Sequence, residues 1–300
     1  MVGTPPPGGR PLAYVALLSA AVIWGLAFPV MKAAVSWLGP LDVAVGRILL
    51  GAVGSVGLVG LARGRPGDVA RVVRRHAPIL VVLSLLVGYG QSFSLTYGIA
   101  RTPAAIAALI PPLNPICTML LAAWGLGERV TPRQWGGVWL AAAGVILLGF
   151  RHGWPTWSEL SGPLILALTP LSWAFYTVLS KPLLRDIAPL QLTALTLMGG
   201  LIVVSPWVSV DTVRRLLGAT PVEWAAIAYL GLLTMTVGYA LWYFGLSRIG
   251  AAATGATALG IPLVGVVGSW LFLGESLGTM VLVAAGLMLG GLHLVLGSRG

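Results

Sequence analysis

The chain has 300 residues, of which 57% are hydrophobic and only 9% charged, with a formal net charge of +10 at pH 7 and a mean hydropathy of +0.94. Soluble domains carry about 25% charged residues, so a water-soluble protein of one or two domains is excluded and a polytopic membrane protein is indicated. The basic excess does not point to nucleic acid, because these residues fall mostly between apolar runs, where the positive-inside rule collects them.

The opening MVGTPPPGGRPL is rich in Pro and Gly and holds one arginine, so residues 1–11 are expected to form a short disordered tail. It does not read as a signal peptide, since the next run is too long and leads into a many-span pattern. Ten apolar runs follow, each about 20 residues, enough to cross a ~30 Å hydrocarbon core at 1.5 Å rise per residue. They are expected at roughly 12–32, 41–62, 77–98, 102–124, 132–150, 161–181, 189–209, 222–246, 250–273 and 278–297. Short connections predict antiparallel neighbours and little mass outside the bilayer; the longest charged joint is ARGRPGDVARVVRRH, between spans two and three. The 41 glycines suit closely packed membrane helices. Cys117 is the only cysteine and lies inside an apolar run, so no intramolecular disulfide is possible.

The side of these spans that holds both termini carries Arg10, Arg63, Arg65, Arg71, Arg74, Arg75, Arg129, Arg133, Lys181, Arg185, Arg248 and Arg299. The other side carries Lys32, Arg101, Arg151, Arg214 and Arg215, while Arg47 lies inside span two. That bias predicts cytoplasmic termini on a multi-pass protein of the plasma (bacterial-type inner) membrane.

The stretch YGIARTPAAIAALIPPLNPICTMLLAAWGLGE (Tyr97 to Glu128) returns as FGLSRIGAAATGATALGIPLVGVVGSWLFLGE (Phe244 to Glu275). Gly98 matches Gly245, Arg101 matches Arg248, Pro115 matches Pro262 and Glu128 matches Glu275, all at one offset of 147. WGLAFPVMKAAVSWLGPL (Trp24 to Leu41) likewise matches WAFYTVLSKPLLRDIAPL (Trp173 to Leu190) at an offset of 149, pairing Trp24 with Trp173 and Lys32 with Lys181. Each half then holds five spans, an odd number, so the halves cross the membrane in opposite senses. The fold expected is an all-α polytopic membrane protein, ten transmembrane helices as two inverted five-helix repeats over 12–150 and 161–297, the arrangement many secondary transporters use.

On these residues, together with Arg47 in DVAVGRILLG, the chain resembles the EamA branch of the drug/metabolite transporter superfamily across essentially residues 12 to 297. The resemblance implies ten helices, an inverted repeat, and export or exchange of small metabolites, often amino acids or related compounds. It does not imply one substrate.

Pro111, Pro112 and Pro115 fall about half-way along span four, and Gly260 and Pro262 about half-way along span nine. Proline removes an amide donor and bends a helix, and freed carbonyls in hydrocarbon must face protein, water or ligand. Both breaks are therefore candidate hinges beside a midplane cavity, the alternative being packing kinks. Aromatic and amide side chains at mid-depth give the candidate substrate contacts: Trp24, Phe28, Tyr89, Gln91, Asn114, Trp173, Tyr176, Tyr239, Trp242 and Tyr243. Trp and Tyr normally belong to the headgroup belts, so mid-depth ones need a hydrogen-bond partner that a wet cavity or a neighbouring helix supplies. Arg47, about 9 Å inside span two by helix rise, is assigned a structural or gating role ahead of direct substrate binding; it is also close enough to the membrane edge to snorkel. Lys32 and Lys181 read as snorkelling anchors, and Glu128 and Glu275 as helix-terminal or loop contacts.

All eight acidic residues fall in loops or at span ends, so coupling through a midplane carboxylate is not expected, facilitated diffusion or exchange is favoured, and strongly cationic substrates are disfavoured. The three histidines are scattered, giving no metal cluster and no catalytic set. No Walker loop occurs, which excludes an ATP-driven pump within this chain. The expectation is a secondary carrier of small neutral or zwitterionic metabolites, with no cofactor, partnered by substrate and bilayer. Its competitors are a membrane enzyme acting on a lipid-linked metabolite and a non-transporting scaffold; substrate, flux direction, coupling and oligomeric state are left open.

Overall fold

The computed structural model describes residues 9–61, 66–102, 110, 113–149, 161–261, 264 and 279–296. Among them there is no strand, and six helices are long and apolar enough to cross a membrane. Backbone amides and carbonyls cannot go unpaired in hydrocarbon, so an apolar chain of this composition satisfies them within helices. The outer face agrees: Leu164 and Ile202 are 67% and 69% exposed, which acyl chains tolerate and water does not.

In chain order the helices are α1 (Gly9–Leu38), α2 (Pro40–Leu61), α3 (Pro66–Leu85), α4 (Ser94–Arg101), α5 (Leu113–Leu126), α6 (Pro132–Gly149), α7 (Ser161–Leu183), α8 (Pro189–Val204), α9 (Val210–Leu217), α10 (Pro221–Ala228), α11 (Gly238–Arg248), α12 (Ala251–Thr257) and α13 (Thr279–Leu296). Helix is present in all ten expected stretches, with spans four and nine described only in part. Gly39, at φ +85°, ends α1 in the left-handed region that a side chain resists, its amide returning to Val35 O at 2.9 Å. Pro40 then opens α2, where a missing N–H is harmless.

Three local features differ from the sequence expectation. Most of the charged joint between spans two and three is helical, because α3 starts at Pro66 and carries Arg71, Arg74 and Arg75 out beyond the apolar run. The connection between expected spans seven and eight contains α9, capped by Ser209 Oγ accepting from Thr212 N and tied to α2 by Arg215, whose guanidinium bonds the buried Asp42 carboxylate. Finally, spans three and eight are not continuous α-helix. Each has a π-helical stretch, Leu86–Phe93 and Tyr229–Val237. The two overlap when superposed at the 147-residue offset.

The repeat is visible in packing as well as in letters. A Cβ on Gly98 would lie 2.7 Å from Leu166 Cβ, and one on Gly245 2.4 Å from Leu17 Cγ. Gly98 and Gly245 are equivalent, and so are Leu17 and Leu166. In the same way Gly144 packs on the carbonyl of Ala284 and its copy Gly291 on the carbonyl of Gly137, at 2.6 and 2.3 Å from the position a Cβ would take. Each of these contacts joins one half to the other, so the halves interlock through small residues that let helices approach. The pairings are antiparallel: α6 starts where α13 ends, and α11 ends beside the start of α1. Both ends of the described chain therefore lie at one face, here called the terminal face. Arg101, Gly162, Gly39 and α9 mark the opposite, distal face.

Candidate functional site

The two equivalent tryptophans meet. Trp24 and Trp173 sit edge to face, with ring centroids 5.1 Å apart and planes at 85°, so the pseudo-symmetry relating the halves runs between them. Tyr239 packs 5.2 Å from Trp173 and 6.2 Å from Trp24. The Trp24 indole donates to Thr234 O at 2.9 Å, a carbonyl in the second π-helical stretch, where the i→i+5 pattern loosens the ladder.

From this ring cluster a cavity of about 130 Å³ extends toward the distal face, close to the ~150 Å³ that accommodates a benzene-sized group. Trp24, Phe28, Gln91, Asn114, Trp173 and Tyr239 line it, together with Arg47, Thr169 and apolar residues such as Met31, Leu95, Ile99 and Leu166. Gln91 is fixed by donating to Thr169 O at 3.0 Å. Asn114 Oδ1 is buried with no hydrogen-bond partner.

Arg47 does not snorkel. It is 5% exposed, it forms part of the cavity wall, and its Nε and Nη1 are buried without a partner. The nearest acid in its own helix, Asp42, is taken by Arg215.

Toward the terminal face the same cluster continues as a closed floor. Trp242, Tyr176 and Tyr243 are almost fully buried. Tyr176 stacks 5.6 Å from Trp173 and 5.5 Å from Tyr243. Their polar tips are satisfied locally: Tyr176 OH pairs with Thr196 Oγ1 at 2.9 Å, Tyr243 OH with Ser180 Oγ at 3.1 Å, and Trp242 Nε1 donates to Thr177 Oγ1 at 3.3 Å. These three rings, expected on the cavity wall, instead close its end.

Tyr89 is the other correction. It is 40% exposed and its hydroxyl accepts from Trp207 Nε1 at 3.0 Å, on the outer surface. Tyr89 and Gln91 are two residues apart and so point in nearly opposite directions on a helix; Gln91 takes the inner face. Pro115 and Gly260 are buried but belong to no part of the cavity wall. Pro111, Pro112 and Pro262 lie outside the described residues.

Below the floor, two charges hold helix ends, one joining the two halves and the other joining two helices of the second half. Glu128, just past the end of α5, accepts from Ala251 N at 2.8 Å and Ala252 N at 2.9 Å. This is a negative charge on the positive end of α12. Lys181, near the end of α7, donates to the carbonyls of Leu246 and Ile249, a positive charge on the negative end of α11. Lys181 is thus a helix cap rather than a snorkelling anchor, and Lys32, its copy, is exposed.

Among the described residues the distal side has no matching floor, and the sequence repeat says why. At the offsets given above, Tyr176 corresponds to Ala27, Trp242 to Leu95 and Ser180 to Met31. Two large rings that fill the terminal side are replaced by small or aliphatic side chains, and all three replacements line the cavity.

An interlocked, inverted-repeat helical membrane protein with a cavity on its pseudo-axis has the architecture of a secondary carrier. The chain belongs to the EamA-like transporter family, which matches residues 11–150 and 160–297. It is 25% identical to an uncharacterized transporter of Archaeoglobus fulgidus over 95% of this chain and 99% of that one. It is also 25% identical to a probable terminal-alkyne amino-acid exporter of Streptantibioticus cattleyicolor, covering 93% and 92%. A probable amino-acid metabolite efflux pump of Escherichia coli is 26% identical, with 93% of each chain covered. One crystal structure shares the fold at a TM-score of 0.76 and 21% identity, covering 95% of this chain and 96% of the other. The protein is a multi-pass membrane transporter of the drug/metabolite superfamily.

Proposed function

We propose that the protein exports or exchanges small neutral or zwitterionic metabolites such as amino acids, by alternating access around the cavity between Trp24 and Trp173. The observation that carries this is the cavity's one-sidedness: among the described residues it extends toward the distal face and is stopped by a buried aromatic floor toward the terminal face. The names of the Streptantibioticus and Escherichia relatives support an amino-acid-like cargo. With the excess of Lys and Arg at the terminal face, both termini are cytoplasmic and the described state faces outward.

The opposite state follows from exchanging the roles of the halves. The copies of Leu246 and Ile249 are Ile99 and Thr102, whose carbonyls would receive Lys32 once the distal side closes. The copies of Ala251, Ala252 and Glu128 are Ala104, Ala105 and Glu275, which lie outside the described residues. One clasp forms as the other opens, and the floor at Tyr176, Trp242 and Tyr243 parts.

Purified protein in liposomes tests the transport reading, with radiolabelled phenylalanine, leucine and alanine inside and the same compounds offered outside. Counterflow of at least one is expected, and Trp24→Ala is expected to lower it at least tenfold while leaving membrane insertion intact. Absence of counterflow for the whole panel, or unchanged rates in Trp24→Ala and Trp173→Ala, would overturn the proposal.

A further inference from the structure

Among the described residues that line the cavity, Arg47 is the one that carries a charge. Its guanidinium is planar with five donors in a fixed fork, and two of its three nitrogens, Nε and Nη1, are buried with nothing to donate to. A buried ionised group without a partner is strongly unfavourable, and nothing in its own helix relieves it, because Asp42 is held by Arg215 on the other side of α2's first turns. The copy of Arg47 in the second half is Thr196, whose hydroxyl is already engaged with Tyr176. The feature therefore belongs to one half alone, and the inverted repeat gives no architectural reason for it.

We infer that Arg47 is the anchor for a carboxylate, and that the substrate is an organic monoanion at that end with an apolar or aromatic body against the Trp24–Trp173–Tyr239 rings. This rests on the transport reading only in taking the cavity as the place where cargo sits. A planar carboxylate accepts two parallel N–H bonds from a guanidinium, which matches the unpaired Nε and Nη1. Charge separates the candidates. One cation in an otherwise neutral wall balances a single negative charge, whereas a phosphate monoester carries about −1.5 to −2 at pH 7 and would leave a buried excess. Asn114 Oδ1, also without a partner, is the acceptor the same wall offers for an ammonium or hydroxyl on the substrate.

The test is binding, measured apart from flux by quenching of intrinsic tryptophan fluorescence in detergent-solubilised protein, with 3-phenylpropanoate, its amide and phenylphosphonate as probes at pH 7.5. Wild type is expected to bind 3-phenylpropanoate at least tenfold more tightly than either of the others. Arg47→Gln is expected to remove that preference by weakening the carboxylate at least tenfold with the amide unchanged, and Arg47→Lys, which keeps the charge without the fork, to fall between. Thermal unfolding of the detergent-solubilised variants checks that they are folded; if Arg47→Gln does not fold, Arg47→Lys and the wild-type probe ranking decide. Equal binding of acid and amide to wild type, a tighter phosphonate, or an unaltered preference in a folded Arg47→Gln protein would overturn the inference. Arg47-dependent carboxylate binding with no counterflow would sink the transport reading and leave this site standing; counterflow that does not depend on Arg47 would do the reverse.

Discussion

Gly98→Ala is expected to lower stability by at least ~3 kcal/mol, beyond the usual overpacking range, and Leu166→Ala is expected not to restore it. At the equivalent site Gly245→Ala is expected to be comparably damaging, but Leu17→Ala should recover most of the loss. The difference lies in what the new methyl meets. At Gly98 it would stand 2.7 Å from Leu166 Cβ, 2.8 Å from Cα and 2.9 Å from N, atoms that shortening the side chain leaves in place. At Gly245 it would meet Cγ and both Cδ atoms of Leu17, at 2.4 to 2.7 Å, all of which Leu17→Ala removes. Thermal unfolding of the four single and two double variants in detergent reads this directly. Rescue of Gly98→Ala by Leu166→Ala, or its failure at Gly245, would contradict the packing described.

Removing the clasp at the terminal face should have the largest effect on conformation. Glu128→Ala strips the two α12 amides of their acceptor, and Lys181→Met strips the α11 carbonyls of their donor. Hydrogen bonds to a charged group contribute about 1.5–3 kcal/mol each, so the closed floor should open for a fraction of molecules at least tenfold larger. A reporter cysteine at Ser180, fully buried in the floor, placed in a Cys117→Ala background, reads this as its rate of reaction with a membrane-impermeant maleimide. The double variant should react faster than either single one. Lys32→Met, whose side chain is exposed in this state, should leave the rate unchanged while slowing exchange. Protection of the reporter in Glu128→Ala would mean that the clasp does not hold the floor shut.

Membrane class, the inverted repeat and the mid-depth rings were all legible from residue order, because lipid forces apolar runs into helices and because copies at a fixed offset survive in the letters. Trp24 and Trp173 could be paired by sequence; that they touch could not be foreseen without the handedness of the packing. Tyr89 was misplaced because a list of mid-depth aromatics ignores which way each side chain points. The π-helical stretches left no proline to mark them in either LVGYGQSF or YLGLLTMTV. Lys181 and Arg47 escaped for a related reason. Each is a long side chain near a membrane edge, and only the tertiary partners decide between water, a helix end and an interior wall.

The exchange of Tyr176 and Trp242 for Ala27 and Leu95 between the halves has a consequence for when the protein works. Two access states built from the same parts are not equal in energy if one side is sealed by rings and the other by smaller groups. Under the alternating access and orientation proposed above, the carrier would rest facing outward, and the apparent affinity for solute arriving from the cytoplasm would be weakened in proportion to the scarcity of the inward-facing form. Such a protein would do little at low internal concentration and turn on as a metabolite accumulates. It would behave as an overflow valve, with its set point written into the size of a few side chains on one half of the repeat.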